Sequence, residues 1–599
     1  MFIKPETNSV VLHDARRGQW LYFNNPEQIY SVHELAAVLD TLREIEQRGR
    51  QQQLYAAGFI SYEAAAAFDR VLTTHPPDGF PLLWFGLFAE PAAVALPAPA
   101  PLQGAEPAWQ AEVTGPAYNA AIQRIKHYIR EGDTYQVNYS YRLRSKDRFD
   151  PWAFFTRMVR SQGSGFSAYV DSGDWAVCSA SPELFFQLHG NTLESRPMKG
   201  TRERAPDCGR DQANREWLAA SEKDRAENLM ILDMVRNDMG RIAGTGSVRT
   251  HDIFSIEKYP TVWQMTSSVT AETDAAITDI FQALFPAASI TGAPKARTMQ
   301  IITELEGSPR RLYTGTVGYF GPGREAQFNV AIRSVVVDRR DGSAEYGTGG
   351  GIVWDSSNSA EFEEAQIKAR VLTHQTPEFS LLETLLWTAD AGYFLLEAHL
   401  QRLAASADYF SRPIDIEAIR AQLLAFAGEL RDTPHRVRLL LAAHGEPQLS
   451  AVRVSPSRGD YRLTLARDPV NAATDVFLYH KTSHREQYQQ ALAAAPGFDD
   501  VLLWNRNGEI TESCIANVVV EMDGKKYTPP VSCGLLAGVY RGHLLAQGEI
   551  QEKVITVEDA SRAERLFLIN SVRGMWRARL VQQAAHGERA GTSITNLDD

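Results

Sequence analysis

Residues 181–204 read SPELFFQLHGNTLESRPMKGTRER and place two reactive side chains in what is otherwise the pattern of a packed sheet. Alternation of apolar and polar residues predicts strands over 183–188 and 192–197, with the three residues between them as a hairpin turn. Lys199 is flanked by a methionine and a glycine, and a lysine in apolar surroundings tends to lose its proton and become a nucleophile or base. Glu183 is suited to act beside it as a proton donor. A solvated ion pair on a surface hairpin is the alternative interpretation.

The size and composition indicate a multidomain globular protein. The chain has 599 residues, too many for one core, so two or three domains are expected. Hydrophobic residues make up 44% and charged residues 22%, which is ordinary for soluble proteins. A formal charge of -12 gives no basic surface for nucleic acid, so acidic substrates need local arginines and lysines. The four cysteines form no CxxC pair, which is typical of a reducing compartment, and we expect buried, inert thiols.

No stretch of the sequence predicts secretion or insertion into a membrane. The start, MFIKPETNSV, lacks the apolar segment of a signal peptide. No window holds the run of about 18 apolar residues that a membrane span needs. The expected location is therefore the cytoplasm.

Helix and strand patterns interleave along the first part of the chain as far as about residue 370. The polar segment THQTPEF then precedes a new strand and helix that begin SLLETLLW. We therefore predict a first domain over 1–374, a second domain over 375–582, and a polar, flexible tail over 583–599.

Two helices of the first domain carry carboxylates in unusual places. In the helix SEKDRAENLMILDMVRNDMGRI, Glu227 lies near the start, and Leu229 is among the residues expected to face a core. In the helix that ends the domain, Glu361, Glu364 and Lys368 are spaced i, i+3 and i+7 and share one face. Because Mg²⁺ is usually held by one or two carboxylates together with substrate and water, these helices predict a magnesium site. A solvated helix face is the alternative.

Groups suited to bind an anion lie between these two helices. The stretch SITGAPKAR offers the hydroxyl of Thr291 and the bare amide of Gly292, and the predicted strand FNVAIRSVVV contains Arg333. A buried arginine suits a bidentate grip on a carboxylate. The glycine run over 347–351 is a weaker indication, since tight turns use glycine more often than anion sites do.

An ordered set of motifs over residues 115–372 resembles the chorismate-utilising enzymes: SPELF, PMKGT, DRAENLMILDMVRND, SITGAPKA, GTVGYFG, AIRS, GGGIVWDS and EFEEAQIKA. That family includes anthranilate, isochorismate and salicylate synthases and component I of aminodeoxychorismate synthase. The resemblance implies an αββα fold and a Mg²⁺-dependent site for chorismate. Anthranilate synthases usually have alanine where this chain has Lys199, whereas PMKGT and YQVN are similar to aminodeoxychorismate synthase. The resemblance thus implies amination of chorismate at C4.

The same resemblance implies a role for each matching residue. Lys199 would attack C2 of chorismate while Glu183 protonates the departing 4-hydroxyl, and ammonia would then add at C4 and expel the lysine. Gln264 departs from the family pattern, in which histidine is frequent, so the usual role of that position is open. The other matches are substrate binding by Arg333, Thr291, Gly292 and Lys368, and magnesium binding by Glu227 and Glu364, with Glu361 acting through water.

The second domain contains the residue types of a pyridoxal phosphate site. Lys481 follows the strand-like stretch DVFLY, and Glu512 lies on a predicted strand after a hairpin turn at Asn507 and Gly508. A carboxylate beside a pyridine nitrogen keeps that nitrogen protonated and strengthens the ring as an electron sink. The groups expected to bind phosphate are an arginine, a glycine turn and an asparagine–serine pair: Arg402, Gly538, Val539, Asn570 and Ser571.

An ordered set of motifs over residues 379–582 resembles the class IV enzymes that use pyridoxal 5'-phosphate (PLP): HLQRL, the lysine of HKT, NGEITES, ANV, LAGVYR and INSVRG. That family, of fold type IV, includes branched-chain and D-amino acid aminotransferases and aminodeoxychorismate lyase. The resemblance implies that Lys481 attaches the cofactor and moves a proton, and that Glu512 pairs with the pyridine nitrogen. The expected fold class of the chain is α+β and α/β, with a chorismate-utilising αββα sandwich followed by a class IV PLP domain.

Together the two resemblances imply synthesis of 4-aminobenzoate for folate. Chorismate would be aminated to 4-amino-4-deoxychorismate in the first domain, and pyruvate would be eliminated from that product in the second. One alternative is an anthranilate or isochorismate synthase fused to a class IV aminotransferase, against which Lys199 argues. The other is a chain in which one half is a non-catalytic binding module.

The expected source of ammonia lies outside this chain. None of the four cysteines stands in the GxCxG form of a glutaminase nucleophile, so free ammonia or a separate glutamine amidotransferase subunit is implied. Class IV PLP sites often lie at a dimer interface, and a homodimer through the second domain is therefore a hypothesis.

Overall fold

The computed structural model describes residues 4–97, 106–163, 165–373, 377–455 and 459–581. The chain divides into two compact units, Met1–Arg204 with Asn214–Thr376, and Ala205–Ala213 with Pro377–Asp599. The predicted domain boundary after residue 374 and the predicted tail over 583–599 both fall outside the described residues.

The first unit is built from strands and helices that alternate along the chain. Its strands are β1 (Ser9–Asp14), β2 (Gln19–Phe23), β3 (Gln28–Val32), β4 (Tyr55–Ile60), β5 (Leu83–Phe88), β6 (Ala92–Val94), β7 (Gln110–Ala111), β8 (Gln136–Ser145), β9 (Phe166–Asp171), β10 (Trp175–Ser181), β11 (Leu184–His189), β12 (Thr192–Arg196), β13 (Met198–Glu203), β14 (Arg249–Lys258), β15 (Val262–Glu272), β16 (Gly292–Ala293), β17 (Thr316–Gly321), β18 (Glu325–Asn329), β19 (Ser334–Asp338) and β20 (Ala344–Ile352). The helices up to residue 373 are α1 (Leu35–Gln52), α2 (Ala65–Phe68), α3 (Gly115–Arg130), α4 (Pro151–Gln162), α5 (Cys208–Ala220), α6 (Glu222–Gly240), α7 (Ile277–Leu284), α8 (Lys295–Leu305) and α9 (Asn358–Ala369).

Within the described residues the strands of this unit form two antiparallel, ten-stranded sheets. The first has the order β16-β8-β20-β19-β10-β9-β1-β2-β6, with β7 beside β8. The second has the order β13-β15-β12-β11-β18-β17-β4-β5-β3, with β14 beside β15. One apolar cluster joins the two sheets face to face, since it contains Val10 and Val170 of the first together with Phe59 and Val317 of the second.

The outer face of each sheet is covered by helices. Val38 of α1, Ile231 of α6 and Phe281 of α7 share a cluster with strands of the second sheet. Phe154 of α4 and Ile122 of α3 belong to clusters that cover the first sheet. The order helix, sheet, sheet, helix confirms the predicted αββα sandwich, and it arises because both faces of each sheet carry apolar side chains.

The predicted hairpin is confirmed as β11 and β12. Leu188 pairs with Leu193 and His189 with Thr192, so the strand extends one residue further than expected. Gly190, with φ of 59°, and Asn191 make the turn. A left-handed backbone at this point favours glycine, and the turn chemistry therefore agrees with the sequence.

Three expectations for side chains and backbone are wrong. Leu229 is 52% exposed, because the buried face of α6 is formed by residues at helical spacing from Asn228, such as Leu232 and Val235. Arg333 does not lie within a strand but just before β19, with φ of 50°. Cys208 is exposed at the start of α5, although the other three cysteines are buried as expected.

The second unit contains a small sheet and a larger one. Its strands are β21 (Leu381–Thr388), β22 (Gly392–Tyr393), β23 (His435–Leu441), β24 (Pro447–Arg453), β25 (Tyr461–Leu465), β26 (Asp500–Trp504), β27 (Ile510–Ser513), β28 (Asn517–Met522), β29 (Lys525–Thr528), β30 (Gln551–Glu552), β31 (Arg565–Asn570) and β32 (Gly574–Leu580). Its helices from residue 377 onward are α10 (Leu396–Tyr409), α11 (Ile416–Ala427), α12 (Glu486–Ala493), α13 (Val539–Ala546) and α14 (Val557–Arg562).

The small sheet has the order β22-β21-β23-β24 and packs against α10 and α11 through Leu381, Leu403 and Ile419. The larger sheet has the order β27-β26-β25-β32-β31-β28-β29-β30 and mixes parallel with antiparallel pairs. The stretch DVFLY is not a strand as predicted, since Val476–Leu478 forms a turn of 3-10 helix. In the described part of the chain, no helix has the length and apolar character to span a bilayer.

Candidate active sites

A cavity of about 300 Å³ opens in the first unit, and most of the residues predicted to act there line it. It lies where β13, α6, β20 and α9 converge, so residues far apart in the sequence meet at one place. The predicted residues on its surface are Glu183, Lys199, Glu227, Arg333, Glu361, Glu364 and Lys368.

A β-bulge directs Lys199 in β13. Met198 lies opposite Thr266 and Thr201 opposite Gln264, so β13 contains one residue more than the facing part of β15. Such an insertion bends a strand and re-aims a side chain. Gly200, with φ of 94°, supplies the left-handed backbone that the bulge requires.

Hydrogen bonds from two neighbouring elements hold this bulge in place. Asn228 of α6 donates from Nδ2 to the Lys199 carbonyl at 3.1 Å. Gln264 of β15 donates from Nε2 to the Gly200 carbonyl at 2.8 Å and accepts from Thr201 Oγ1 at 3.0 Å. Gln264, the residue that departs from the family pattern, therefore ties down the strand that carries Lys199.

The glycine run of β20 forms the surface against which Lys199 lies. A Cβ atom at Gly351 would overlap Lys199 Nζ and would come within 2.9 Å of Gln136 Nε2. A Cβ atom at Gly350 would lie 3.1 Å from Glu361 Oε2 and 3.9 Å from Lys368 Nζ. Glycine is needed here because functional side chains approach the backbone closely.

Burial shifts the pKa values of Glu183 and Lys199, each in the direction of the uncharged form. Glu183 is 3% exposed, and burial raises its pKa to about 7, although Ser289 Oγ donates a hydrogen bond to Oε1 at 2.5 Å. Burial lowers the pKa of Lys199, while the charge of Glu227 opposes that shift. Both pKa shifts act against the charged forms, and Glu183 is buried, so the two residues are not a solvated ion pair on a surface hairpin.

Three carboxylates on α6 and α9 line the same cavity. Burial raises the pKa of Glu227 and that of Glu361, whereas Lys368 Nζ, at 2.8 Å from Oε1, lowers the pKa of Glu364. The described residues contain no cluster of three or more His, Cys, Asp or Glu side chains that is ready to hold a metal. One carboxylate from each helix, with substrate and water oxygens, nevertheless fits the way in which proteins hold Mg²⁺.

Two predicted substrate-binding residues are not on the cavity surface. Thr291 is fully buried, and its hydroxyl donates to the carbonyls of Ala287 and Ala288 at 3.2 Å. Gly292 pairs with Val137 in the short β16–β8 contact. Both residues therefore support the cavity wall, and the neighbouring Ser289 and Ile290 line the cavity in their place.

Gln136 is a site residue that motif reasoning quoted but did not single out. Its side chain is fully buried, and neither Oε1 nor Nε2 has a hydrogen-bond partner among the described residues. Buried amides are nearly always paired, so the two unpaired groups of Gln136, which is not part of the cavity lining, are unusual.

A second cavity, of about 370 Å³, lies in the second unit. Every residue predicted to bind PLP lines it: Arg402, Lys481, Glu512, Gly538, Val539, Asn570 and Ser571. Burial lowers the pKa of Lys481 to about 8, and the positive charge of Arg402 adds to that effect. A free amine therefore forms readily at this position near neutral pH.

Glu512 is fixed by three donors and faces the cavity. Tyr488 Oη donates to Oε1 at 2.8 Å, and Asn517 Nδ2 and the Leu536 amide donate to Oε2 at 3.3 Å. Burial raises the pKa of Glu512 to about 7 in spite of these bonds. A buried carboxyl of this kind is suited to share a proton with a ring nitrogen, so the residue present fits the pyridine end of PLP.

The same cavity also has groups that match the phosphate of PLP. Gly538 is the N-cap residue of α13 and provides no side-chain cap, which leaves the first amides of that helix for an anion. Asn517 Oδ1 occupies the space that a Cβ at residue 538 would need. Sequence reasoning missed two residues here, Glu383 and His399, although His399 stands in the quoted HLQRL motif.

Two known protein families match the two halves of the chain. Residues 7–374 match the family model described as chorismate binding enzyme, and residues 380–581 match amino-transferase class IV. The crystal structure of anthranilate synthase component I from Streptococcus pneumoniae TIGR4 is similar with a TM-score of 0.53. It is 22% identical and covers 62% of this chain and 94% of that one, which shows a shared fold and no more.

Curated relatives match the first half of the chain. Aminodeoxychorismate synthase component 1 of Klebsiella aerogenes is 40% identical over 270 residues, which cover 45% of this chain and 59% of that protein. Anthranilate synthase component 1 of Cereibacter sphaeroides is 38% identical over 271 residues, which cover 45% of this chain and 54% of that protein. The chain therefore spans less than two thirds of these relatives, and overall identity does not separate the two activities.

Proposed function

The chain belongs to the family of chorismate binding enzymes, and on that premise we propose that it converts chorismate and ammonia to 4-aminobenzoate in two steps. The observation that carries the proposal is Lys199, a half-buried lysine of lowered pKa that lines the first cavity together with Glu183, a carboxyl of raised pKa. Relatives named aminodeoxychorismate synthase component 1 support amination at C4. The class IV match of residues 380–581 supports a second, PLP-dependent step.

In the first step, the free amine of Lys199 forms a bond to C2 of chorismate while the C4–O bond breaks. Glu183 passes its proton to the leaving hydroxyl, which departs as water. Ammonia then forms a bond to C4 as the C2–N bond breaks, which restores the lysine amine and yields 4-amino-4-deoxychorismate. Two allylic displacements thus replace one difficult substitution, and the atoms of chorismate plus ammonia equal those of the product plus water.

The other residues of the first cavity bind and orient the substrate. Arg333 has a buried Nη1 with no hydrogen-bond partner among the described residues, which suits it to hold a carboxylate. Glu227 and Glu364 would hold Mg²⁺, with Glu361 acting through water. Mg²⁺ would supply positive charge that neutralises and orients a substrate carboxylate.

In the second step, Lys481 moves the proton from the carbon that bears the amine, and the enolpyruvyl group leaves as pyruvate. PLP, when bound, supplies an electron sink that stabilises the charge left on that carbon. Glu512 holds the ring nitrogen, and the phosphate is held by Arg402, the amides at Gly538 and Val539, and the pair Asn570 and Ser571. The products 4-aminobenzoate and pyruvate together contain all atoms of 4-amino-4-deoxychorismate.

The ammonia comes from solution or from a separate glutaminase. The name component 1 of the relatives supports a second component as the natural source. A supply of ammonium salt therefore suffices to test the chemistry of this chain alone.

The test supplies the full chain with chorismate, Mg²⁺, PLP and an ammonium salt and separates the products by chromatography. The expected products are 4-aminobenzoate and pyruvate in equal amounts. Anthranilate as the main product would refute amination at C4. Exchange of amino groups with a keto acid, without release of pyruvate, would refute the second step.

Substitution Gly351→Ala tests the position of Lys199. The added methyl group would overlap Nζ, and since the end of a lysine is flexible, the amine is expected to move by about 1 Å. We expect the first step to slow by about 100-fold with little change in melting temperature. Single-turnover formation of 4-amino-4-deoxychorismate measures the effect.

The matched control for this substitution is Gly307→Ala. No atom lies within 4 Å of a Cβ at that position, so the variant should keep the wild-type rate. Equal rates in Gly351→Ala and the wild type would show that Lys199 does not act from its position in this structure.

The pH dependence of the first step tests Glu183. The acid acts when protonated, and its pKa of about 7 means that the active fraction falls tenfold with each pH unit above that value. We expect a bell-shaped pH profile, in which deprotonation of Lys199 raises the single-turnover rate and loss of the Glu183 proton lowers it on the alkaline side, up to about pH 9. Glu183→Gln should lose this alkaline decline together with most of the rate. A wild-type rate that does not fall on the alkaline side would contradict the assignment.

A further inference from the structure

A buried carboxylate joins an arginine and a histidine that line the second cavity. Glu383 of β21 is 2% exposed and accepts from Arg402 Nε at 2.9 Å and from Arg402 Nη2 at 2.6 Å. His399 Nδ1 lies 2.7 Å from Oε2 of the same carboxylate. Burial alone would raise the pKa of Glu383, but Arg402 and His399 outweigh it and hold that pKa at about 2. The group is therefore an anion at any pH at which the protein works.

The spacing on α10 explains why both side chains meet one carboxylate. His399 and Arg402 are three residues apart, so they lie on the same face of the helix. That face turns toward β21 and toward the cavity, which both residues line. The bond to Glu383 uses Nδ1 of the imidazole and thereby fixes the direction in which Nε2 points.

His399 Nε2 is left without a partner. The residue is 1% exposed, and Nε2 has no hydrogen bond among the described residues. His399 lines the cavity, and a buried polar atom without a partner costs free energy unless a ligand or a water satisfies it. The proposed chemistry of Lys481 and Glu512 does not use this atom.

The other polar groups that line this cavity with His399 indicate the charge of the ligand that fits there. Arg402 uses three of its five N–H groups on Glu383 and on the Ala537 carbonyl, at 3.2 Å, and two remain for a ligand. The first amides of α13 follow at Gly538 and Val539 on the same cavity wall. All of these groups are donors, so the ligand group that they surround is an anion with several acceptor atoms.

We infer that His399 is a phosphate ligand of this cavity, donating from Nε2, and that Glu383 is the positioning residue that holds His399 and Arg402 as one anion-binding pair. The inference rests on the proposed function in that the phosphate belongs to PLP. Since Nδ1 donates to a carboxylate, a donor at Nε2 means that the ring binds the phosphate as an imidazolium. Glu383 balances one of the two positive charges, which makes their burial together tolerable before the ligand arrives.

The test compares binding of two probes to the full-length apoprotein: PLP, and pyridoxal, which lacks the phosphate. Asparagine at position 399 keeps an amide donor near Nδ1, and hence the bond to Glu383, but has no atom at the place of Nε2. For His399→Asn we expect the dissociation constant of PLP to rise by about ten- to hundredfold and that of pyridoxal to stay within about twofold. Titration of protein fluorescence or cofactor absorbance gives both constants.

Two further measurements keep the test independent of folding. The ³¹P resonance of bound PLP should shift between the wild type and His399→Asn, because the phosphate loses a charged donor. His399→Gln, which can place an amide near Nε2, should lose less affinity for PLP than the asparagine variant. His444→Asn, on the exposed turn between β23 and β24, is the control and should leave both constants unchanged.

The outcomes separate the inference from the proposed function. An equal loss of affinity for PLP and pyridoxal, or no loss for either, would overturn the role of His399 while leaving a PLP site in place. Absence of PLP binding to the wild-type chain would instead overturn the second step of the proposed function.

Discussion

Replacing Lys481 by alanine is expected to stop synthesis at 4-amino-4-deoxychorismate, with release of pyruvate slowed by about 1,000-fold or more. Among the described residues that line the second cavity, Lys481 is the one lysine, and its pKa of about 8 makes it the group best placed to take up a proton near neutral pH. Glu512 is held by three hydrogen bonds and is not free to take over this task. The first cavity retains all of its own residues, so chorismate should still be consumed.

Chromatography of the reaction with chorismate, Mg²⁺, PLP and an ammonium salt checks this result, because it separates 4-amino-4-deoxychorismate from 4-aminobenzoate. Lys525→Ala, on the exposed side of β29, removes a lysine elsewhere in the same unit and should leave 4-aminobenzoate synthesis intact. Unchanged synthesis of 4-aminobenzoate by Lys481→Ala would refute the assignment of the two reaction steps to two separate cavities.

Replacing Lys199 by alanine should abolish formation of both 4-amino-4-deoxychorismate and 4-aminobenzoate, with a loss of about 1,000-fold or more in the first step. The physical reason is that the proposed path needs a covalent bond from this amine to C2. Gln136, close to Lys199, carries an amide that is not nucleophilic, and Lys368 is engaged with Glu364 at 2.8 Å and with the Gly349 carbonyl at 2.9 Å. Lys223, the remaining lysine among the described residues that line this cavity, is half exposed and lies 3.8 Å from Glu227 Oε1, so it is paired on α6 itself.

Mass spectrometry adds a direct readout for this prediction. Wild-type protein with chorismate and Mg²⁺, but without ammonia, should carry the mass of chorismate less one water on the peptide that contains Lys199. Lys199→Ala should carry none, and Lys146→Ala, on an exposed loop of the same unit, should behave as the wild type. An adduct on any other residue would refute Lys199 as the nucleophile.

Much of the architecture could be predicted from local patterns. The hairpin β11–β12 follows from alternating side chains and from a glycine that accepts a left-handed backbone. The acidic face of α9 follows from helical spacing, which places Glu361, Glu364 and Lys368 together whatever the rest of the chain does. Such features depend on neighbours within a few positions, and the sequence displays those neighbours directly.

Errors arose where a local pattern was compatible with two environments. Leu229 suits an apolar helix face by composition, but it lies one position, or about 100° around the helix, from Asn228 on the buried face. Arg333 stands in an apolar run that predicts a strand, yet its φ of 50° places it in the bend before β19. For Thr291, the hydroxyl is consumed by its own backbone turn and does not reach the cavity.

The sequence by itself determined which chemistry is present: an amine in apolar surroundings at Lys199, carboxylates at helical spacing, and a second lysine and acid in the following domain. Tertiary structure alone decided how those groups act, because pKa shifts, close approaches and unsatisfied donors depend on residues that are distant in the chain. The bulge that aims Lys199, the glycine face at Gly351 and the link from Glu383 to His399 each join segments more than ten residues apart. Burial of a side chain depends on how the whole chain packs, and the local sequence does not specify it.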